Sequence, residues 1–171
     1  MIENFEIIKP EQVNENAIKL IARDWLLITA GNQNGFNTMT ASWGGLGFLW
    51  NKPVVFIFIR PQRYTYDFVE KEGFFTIQVF EKKYRDILNF CGSHSGRDVD
   101  KIEKTGLRPF NSEKGNIFFE EASIQMECRK LYSDDIDPER FLDKELLKNY
   151  PKKDFHRMYV GEITECLQKK G

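Results

Sequence analysis

A mainly β domain, a small antiparallel β-barrel with peripheral helices, is the fold class this sequence predicts. Three observations carry that prediction. About six apolar or β-branched runs of strand length are separated by turn-forming residues. The helical stretches between them are short and do not alternate regularly with the strands, which argues against a doubly wound parallel sheet. The chain also holds 15 phenylalanines, which suit strand faces and equally suit a pocket for a flat ring.

Taken in order, Met1 to Asn16 is polar and reads as peripheral, and Glu15 to Arg23 reads as a short helix. The apolar run Trp25 to Ala30 is a buried strand. Gly31 to Gly35 is turn chemistry, with Asn34-Gly35 a hairpin signal, so Phe36 to Trp43 is the partner strand. Gly44 to Lys52 reads as a loop, and Pro53 opens a strand over Val54 to Arg60. Arg63 to Glu70 is a short helix ended by Gly73, followed by a strand from Phe74 to Phe80. Lys82 to Phe90 has helical spacing, and Cys91 to Gly96 reads as loop. Asp98 is the expected cap of a helix running to Lys104 and ended by Thr105-Gly106. Ile117 to Leu131 holds one long strand or two short ones. Asp134 to Asn149 is charged and helical in places, with Asp137 able to cap and Pro138 suited to a first turn. Phe155 to Gln168 closes the chain as a strand. Repeats and linkers are lacking, so residues 1–171 read as one domain.

Composition narrows the function classes. A net charge of −1 gives no general attraction to nucleic acid or to an anionic membrane. No apolar run approaches the ~20 residues of a membrane span. The first residues lack a basic start, an apolar stretch and a cleavage site, so a cytoplasmic protein is expected. Cys91, Cys128 and Cys166 are odd in number and far apart, which fits free thiols in a reducing compartment.

The chemistry concentrates between Asn37 and Thr65. Thr38, Thr40 and Ser42 alternate along one strand face, opposite Met39, Ala41 and Trp43. That face reads either as a wet strand face or as a polar edge for a ligand, with Ala41 and the following glycines permitting close approach. Gly44-Gly45-Leu46-Gly47 matches neither the dinucleotide fingerprint nor a P-loop. Arg60 and Arg63 flank Pro61 just ahead of a helix start at Tyr64, an arrangement that reads equally as an anion site suited to phosphate and as plain solvated arginines. Ser95-Gly96-Arg97-Asp98 forms a second loop-to-helix junction that by itself reads as a capped surface helix; alternatively Arg97 and Lys101, four apart, could meet one ligand from one helix side. Cys91 and His94 have metal-ligand spacing but no second pair, so no metal is expected. His156 is a lone histidine at the head of the last strand.

In order and spacing, Asn37 to Gly44, Arg60 to Thr65 and Ser95 to Asp98 resemble the flavin reductase-like proteins, especially the flavoredoxin branch, across Trp25 to Glu162. The resemblance implies an FMN-binding split β-barrel of Greek-key antiparallel strands, a homodimer, and one FMN per subunit near the dimer interface. It implies a hydride passing through flavin N5, with NADPH or NADH as transient donor and a small molecule or a protein as electron acceptor. Asn37, Thr38, Met39, Thr40, Ala41, Ser42 and Trp43 would run beside the ring and ribityl chain. Arg60, Arg63, Tyr64 and Thr65 would hold the phosphate end, with Lys101 an extra cation. Ser95, Gly96 and Arg97 would close over one side, and His156 would face the nicotinamide. One departure concerns that histidine: the reductases often carry Asp directly before it, whereas here Phe155 stands there and Asp154 lies one residue earlier. Three readings stay open: an NAD(P)H-dependent flavin or small-acceptor reductase, an electron-transfer protein without nicotinamide binding, and a non-catalytic ligand-binding barrel.

Overall fold

The structure, a computed structural model, describes residues 2–171. Among the described residues ten strands are formed: β1 (Phe5–Ile7), β2 (Leu26–Asn32), β3 (Gly35–Ala41), β4 (Gly44–Leu49), β5 (Lys52–Ile59), β6 (Phe74–Val79), β7 (Pro109–Asn111), β8 (Ile117–Phe119), β9 (Ile124–Asp135) and β10 (Arg157–Lys169). Four α-helices accompany them: α1 (Ala17–Lys19), α2 (Tyr64–Lys71), α3 (Arg85–Ser93) and α4 (Lys101–Thr105). One antiparallel sheet runs in the order β3-β2-β6-β9-β10-β5-β4, and β1 joins β10. β10 organises the curl of that sheet. Its first half pairs with β5, its last residues pair with β1, and β9 accompanies it throughout. Register shifts at Val160/Gly161 and Ile163/Glu165 add the local twist that lets so long a strand bend.

Strand alternation divides the side chains between two layers. Leu26, Ile28 and Ala30 of β2 face inward with Ile57, Phe75, Met126 and Tyr159. Each such fully buried large side chain contributes about 1.5–3 kcal/mol. Gly161 stands opposite Phe75 in this interior, and a Cβ there would meet the Phe75 ring at 2.5 Å. Leu27 points the other way, under Leu88 and Cys91 of α3 and against Phe119. β2 is therefore buried on both faces, which is why its sequence reads as a continuous apolar run. Outward polar groups on this side bond one another: Thr29 Oγ1 reaches Thr38 Oγ1 at 2.9 Å and Gln78 Oε1 at 3.0 Å, and Thr76 Oγ1 donates to the Ile117 carbonyl at 2.7 Å. All three cysteines are buried thiols, Cys128 and Cys166 in the inner layer and Cys91 in the outer one.

The expected fold class holds, with local corrections. Gly44 to Lys52 is not a loop: β4 pairs with β5 through a two-residue turn at Trp50-Asn51. Both turn residues have positive φ (53° and 57°), the conformation of a type I′ hairpin without its usual glycine. Met1 to Asn16 is not merely peripheral, because β1 adds to the sheet and buries Phe5 beside Phe110 and Phe118. In the hairpin between β2 and β3 the turn residues are Gln33 and Asn34, with Gly35 already in the strand. Helix α3 runs through Ser93, so Cys91 to Ser93 is helical rather than loop. Asp100 caps α4, its carboxylate accepting from the Ile102 and Glu103 amides, and Asp98 lies in the preceding turn. Ile117 to Leu131 divides into two strands, the second extending to Asp135.

Candidate functional site

Three segments meet beside β3: the link from β5 to α2, the C-terminal turn of α3, and the loop that leads to α4. They enclose two neighbouring cavities. One, of about 190 Å³, is lined by Met39 to Trp43, Phe58, Arg60, Arg63 and His156. The other, of about 140 Å³, is lined by Asn37, Arg63, Tyr64, Thr65, Lys101 and the turn from Gly92 to Gly96. Arg63 lines both. A wider outer cleft of about 630 Å³ shares Asn37, Tyr64, Gly96 and Lys101 with the smaller cavity and adds Thr38 and Arg97. The sixteen residues singled out in the sequence therefore converge on one region.

The hydroxyls of Thr38 and Thr40, which alternation left open as a wet face or a ligand edge, are engaged by the protein itself. Thr38 is 1% exposed, and its hydroxyl sits within bonding distance of Thr29 and of the Ile28 carbonyl. Thr40 donates to the Leu88 carbonyl at 2.5 Å. The reason is α3, which packs on that strand face so closely that a Cβ at Gly92 would meet Thr40 at 3.3 Å. The backbone takes over the polar role. β3 ends the sheet, and the Thr38 carbonyl points away from β2 to accept from Lys101 at 2.7 Å. By the two-residue repeat of a strand, the Thr40 peptide groups face the same open side. Met39 and Ala41 turn into the core, while Ser42 and Trp43 are exposed at the cavity mouth.

The two arginines have different occupations. Arg60 Nη1 pairs with Asp154 Oδ2 at 2.6 Å, Nη2 donates to the Asn149 carbonyl at 2.8 Å, and the guanidinium lies 5.0 Å over the Tyr150 ring. Gln62 donates to the same Asp154 oxygen at 2.5 Å. The hydrogen bond from Arg60 holds the Asp154 carboxyl below its usual pKa. Arg63 instead donates to the Gly92 carbonyl at 2.9 Å and the Cys91 carbonyl at 3.4 Å, at the negative end of α3. Lys101 Nζ, on a side chain 5% exposed, joins it at the Cys91 carbonyl (2.9 Å). Burial lowers the pKa of Arg63 and brings that of Lys101 down to about 8. Among the described residues neither cation has a carboxylate partner. A buried lysine beside a half-buried arginine, neither neutralised, is costly unless an anion joins them.

The surroundings of the small cavity suit that anion. No side chain caps the N-terminus of α2, which begins at Tyr64. Thr65 Oγ1 accepts from Asn37 Nδ2 at 2.7 Å, which leaves its own hydroxyl hydrogen to donate elsewhere. At Gly96 a Cβ would come within 1.9 Å of Asn37 Oδ1, so only glycine lets the loop lie this close. Arg97 is not a partner of Lys101 on one helix side, because α4 begins only at Lys101. It braces the loop instead, with Nη2 2.6 Å from Asp67, Nη1 donating to the Gln62 carbonyl, and its guanidinium 4.7 Å over Tyr64.

His156 closes the larger cavity. Its ring lies 5.2 Å from Trp43 and 6.5 Å from Phe58, centre to centre. Asp154 is bound to Arg60 and not to the histidine, whose Nδ1 is 2.9 Å from the Tyr150 hydroxyl. Burial, with Arg60 nearby, lowers the His156 pKa to about 4, so the ring is neutral. Sequence reasoning missed Phe58, Gln62 and Tyr150. Phe58 was findable, since it shares a strand face with Arg60 two residues on. Tyr150 follows a 3₁₀ turn (Lys144–Asn149) in a stretch with no periodic signal.

A family model described as "Flavin reductase like domain" matches residues 18–171. Nothing among curated proteins matches the chain. Solved structures do. An FMN-binding domain of a flavin reductases-like enzyme from Shewanella baltica aligns with a TM-score of 0.71 at 20% identity, over 97% of this chain and 78% of that one. Flavoredoxin from Methanosarcina acetivorans aligns at 0.66 and 21% identity, over 86% and 69%. An NADH:FAD oxidoreductase from Streptomyces globisporus, solved with NAD and FAD fragments, aligns at 0.63 and 17% identity, over 85% and 74%. At these identities the likeness shows the fold.

Proposed function

Because the chain belongs to the flavin reductase-like domain family, we propose that its cleft holds one FMN and that the protein is an NAD(P)H-dependent reductase of a free flavin or another small acceptor. The observation that carries this reading is the cation pair, half-buried Arg63 and buried Lys101, which faces a small cavity and has no carboxylate partner among the described residues. A phosphate monoester fits that vacancy of charge. It would take the forked donors of Arg63, the Lys101 ammonium, the Thr65 hydroxyl and the first amides of α2. The adjoining cavity, walled by the rings of Trp43, Phe58 and His156, suits a flat heteroaromatic system lying along the open edge of β3. Bound there, FMN supplies two-electron chemistry between a reduced nicotinamide and the acceptor. The chain's own residues hold, orient and partly desolvate the group. Ser42 and Trp43 leave one side of the cavity open to an incoming substrate.

We also propose a homodimer formed across the β4 side of the sheet. β4 has a free edge, and Trp43, Phe48, Trp50 and Tyr132 are 45–69% exposed, an unusual concentration of large apolar groups. Light scattering on the wild type and on Trp50→Glu tests it: a dimer that dissociates in the variant is expected, and a monomeric wild type would remove the proposal.

An absorbance spectrum of the purified protein, before and after addition of FMN, tests the cofactor. A bound-flavin spectrum with near-stoichiometric uptake is expected, and a colourless chain that takes up no FMN would defeat the reading. Anaerobic bleaching by NADH or NADPH then tests the donor, since absence of bleaching with either would leave an electron carrier in place of a reductase.

A further inference from the structure

The bond between Tyr150 and His156 has a directional consequence. Tyr150 is 7% exposed, and among the described residues its hydroxyl makes no hydrogen bond other than the one to His156 Nδ1. A buried phenol must place its proton on an acceptor. The Nδ1 lone pair is the acceptor available, so the phenol donates and Nδ1 carries no hydrogen. The imidazole proton then belongs on Nε2, which makes no hydrogen bond among the described residues, on a ring that lines the larger cavity.

We propose that Tyr150 is a positioning residue that locks His156 in the neutral Nε2–H tautomer, so that the cavity presents one uncharged donor to the carbonyl or carboxamide oxygen of an incoming substrate. The charges around the ring agree with neutrality. Arg60, at the end of β5, lies over the Tyr150 ring and opposes protonation of the histidine. Arg63 lines the same cavity. Asp154 is the carboxylate that would favour imidazolium, but it is held by Arg60 and Gln62. Trp43 and Phe58 contribute only rings. A neutral donor matches a neutral oxygen: the carboxamide of a reduced nicotinamide and the carbonyl of a quinone share that chemistry. This substrate assignment rests on the reductase reading, whereas the tautomer does not.

The tautomer is read directly by ¹⁵N NMR of the purified chain. There are only 2 histidines, so loss of one signal set in His156→Gln assigns the other. An Nε2 in the protonated range and an Nδ1 in the unprotonated range, both unmoved between pH 8 and pH 5.5, are expected. A proton on Nδ1, or both nitrogens protonated at pH 6, would overturn the proposal, and either result is independent of any flavin chemistry. Tyr150→Phe should release the ring to sample both tautomers; an unchanged spectrum in that variant would deny Tyr150 its role. For the substrate, Gln places an amide N–H where Nε2 stands and Asn places one where Nδ1 stands. His156→Asn should raise KM about tenfold for the substrate concerned, and His156→Gln should recover most of that loss. Varying NADH at fixed menadione, and the reverse, shows which of the two carries the recognised oxygen. Equal KM values for the Asn and Gln variants toward both substrates would overturn the assignment. Absence of turnover with any donor would sink the reductase reading while the NMR result stood.

Discussion

Arg60 and Arg63 are three residues apart, flank one proline and border the same cavity, yet they live in opposite electrostatic conditions. Arg60 is satisfied: a carboxylate, a carbonyl and an aromatic face surround it. Among the described residues, the side chains of Arg63 and the neighbouring Lys101 hydrogen-bond only to carbonyls. Carbonyls solvate a cation but do not cancel its charge. An anion site is therefore located by asking which positive charge lacks a counter-ion, and not by counting arginines. On that criterion Arg63 and Lys101 are the proposed phosphate end, whereas Arg60 is bonded to Asp154 and lies over Tyr150 at the other cavity.

The contrast can be broken by substitution. The largest expected effect is that of Arg63→Ala on FMN affinity, a loss of about 1.5–3 kcal/mol from charge-assisted bonds. Arg60→Ala should change affinity by less than about 1 kcal/mol while lowering the melting temperature, because it strands a carboxylate whose Oδ1 is already buried without a partner. Equal affinity losses in the two variants, measured by fluorescence titration, would erase the distinction.

Lys101 sharpens it through pH. Its pKa of about 8 places loss of charge within an accessible range. As pH rises through 8 the ammonium disappears, so affinity for a phosphate dianion should fall, and Lys101→Met should bind more weakly by about 1–2 kcal/mol with no such slope. The unliganded protein should show the opposite trend in stability. The unfolded amine keeps its proton up to 10.5, so between about 8 and 10.5 the unfolded chain binds more protons and the native state gains stability with pH. Asp154→Asn is a subtler probe: it frees Arg60 and should improve phosphate affinity by about 0.5–1 kcal/mol. Arg97→Ala should have the smallest effect, below about 1 kcal/mol, because its bond to Asp67 is solvent-exposed. A large loss there would place Arg97 on the ligand.

Much of this was legible in the sequence, and the failures share a cause. β2 and β6 announce themselves by apolar runs, and the region of the cleft follows from the segments around Asn37, Arg60 and Ser95. β4 does not: Gly44, Gly45 and Gly47 look like loop, and a left-handed Trp50-Asn51 turn carries no glycine. The choice of Asp100 over Asp98 as cap depends on the turn in which the Asp98 and Val99 amides both bond to the Ser95 carbonyl. Alternation correctly placed Thr38 and Thr40 on one face but could not say that α3 covers it. Arg60 could not be told from Arg63 because its counter-ion lies 94 residues away in sequence. Local pattern reports local conformation, whereas charge compensation is settled by tertiary contacts.

The three thiols carry one more consequence. Peroxide attacks thiolates and spares thiols. Burial pushes Cys91 up to about 11 and Cys166 up to about 12, and raises Cys128 well above its ordinary value. At neutral pH all three are almost wholly protonated and shielded, Cys91 directly beneath the cation pair. The chain is thereby expected to keep its three cysteines unmodified under mild peroxide, which intact-mass measurement checks.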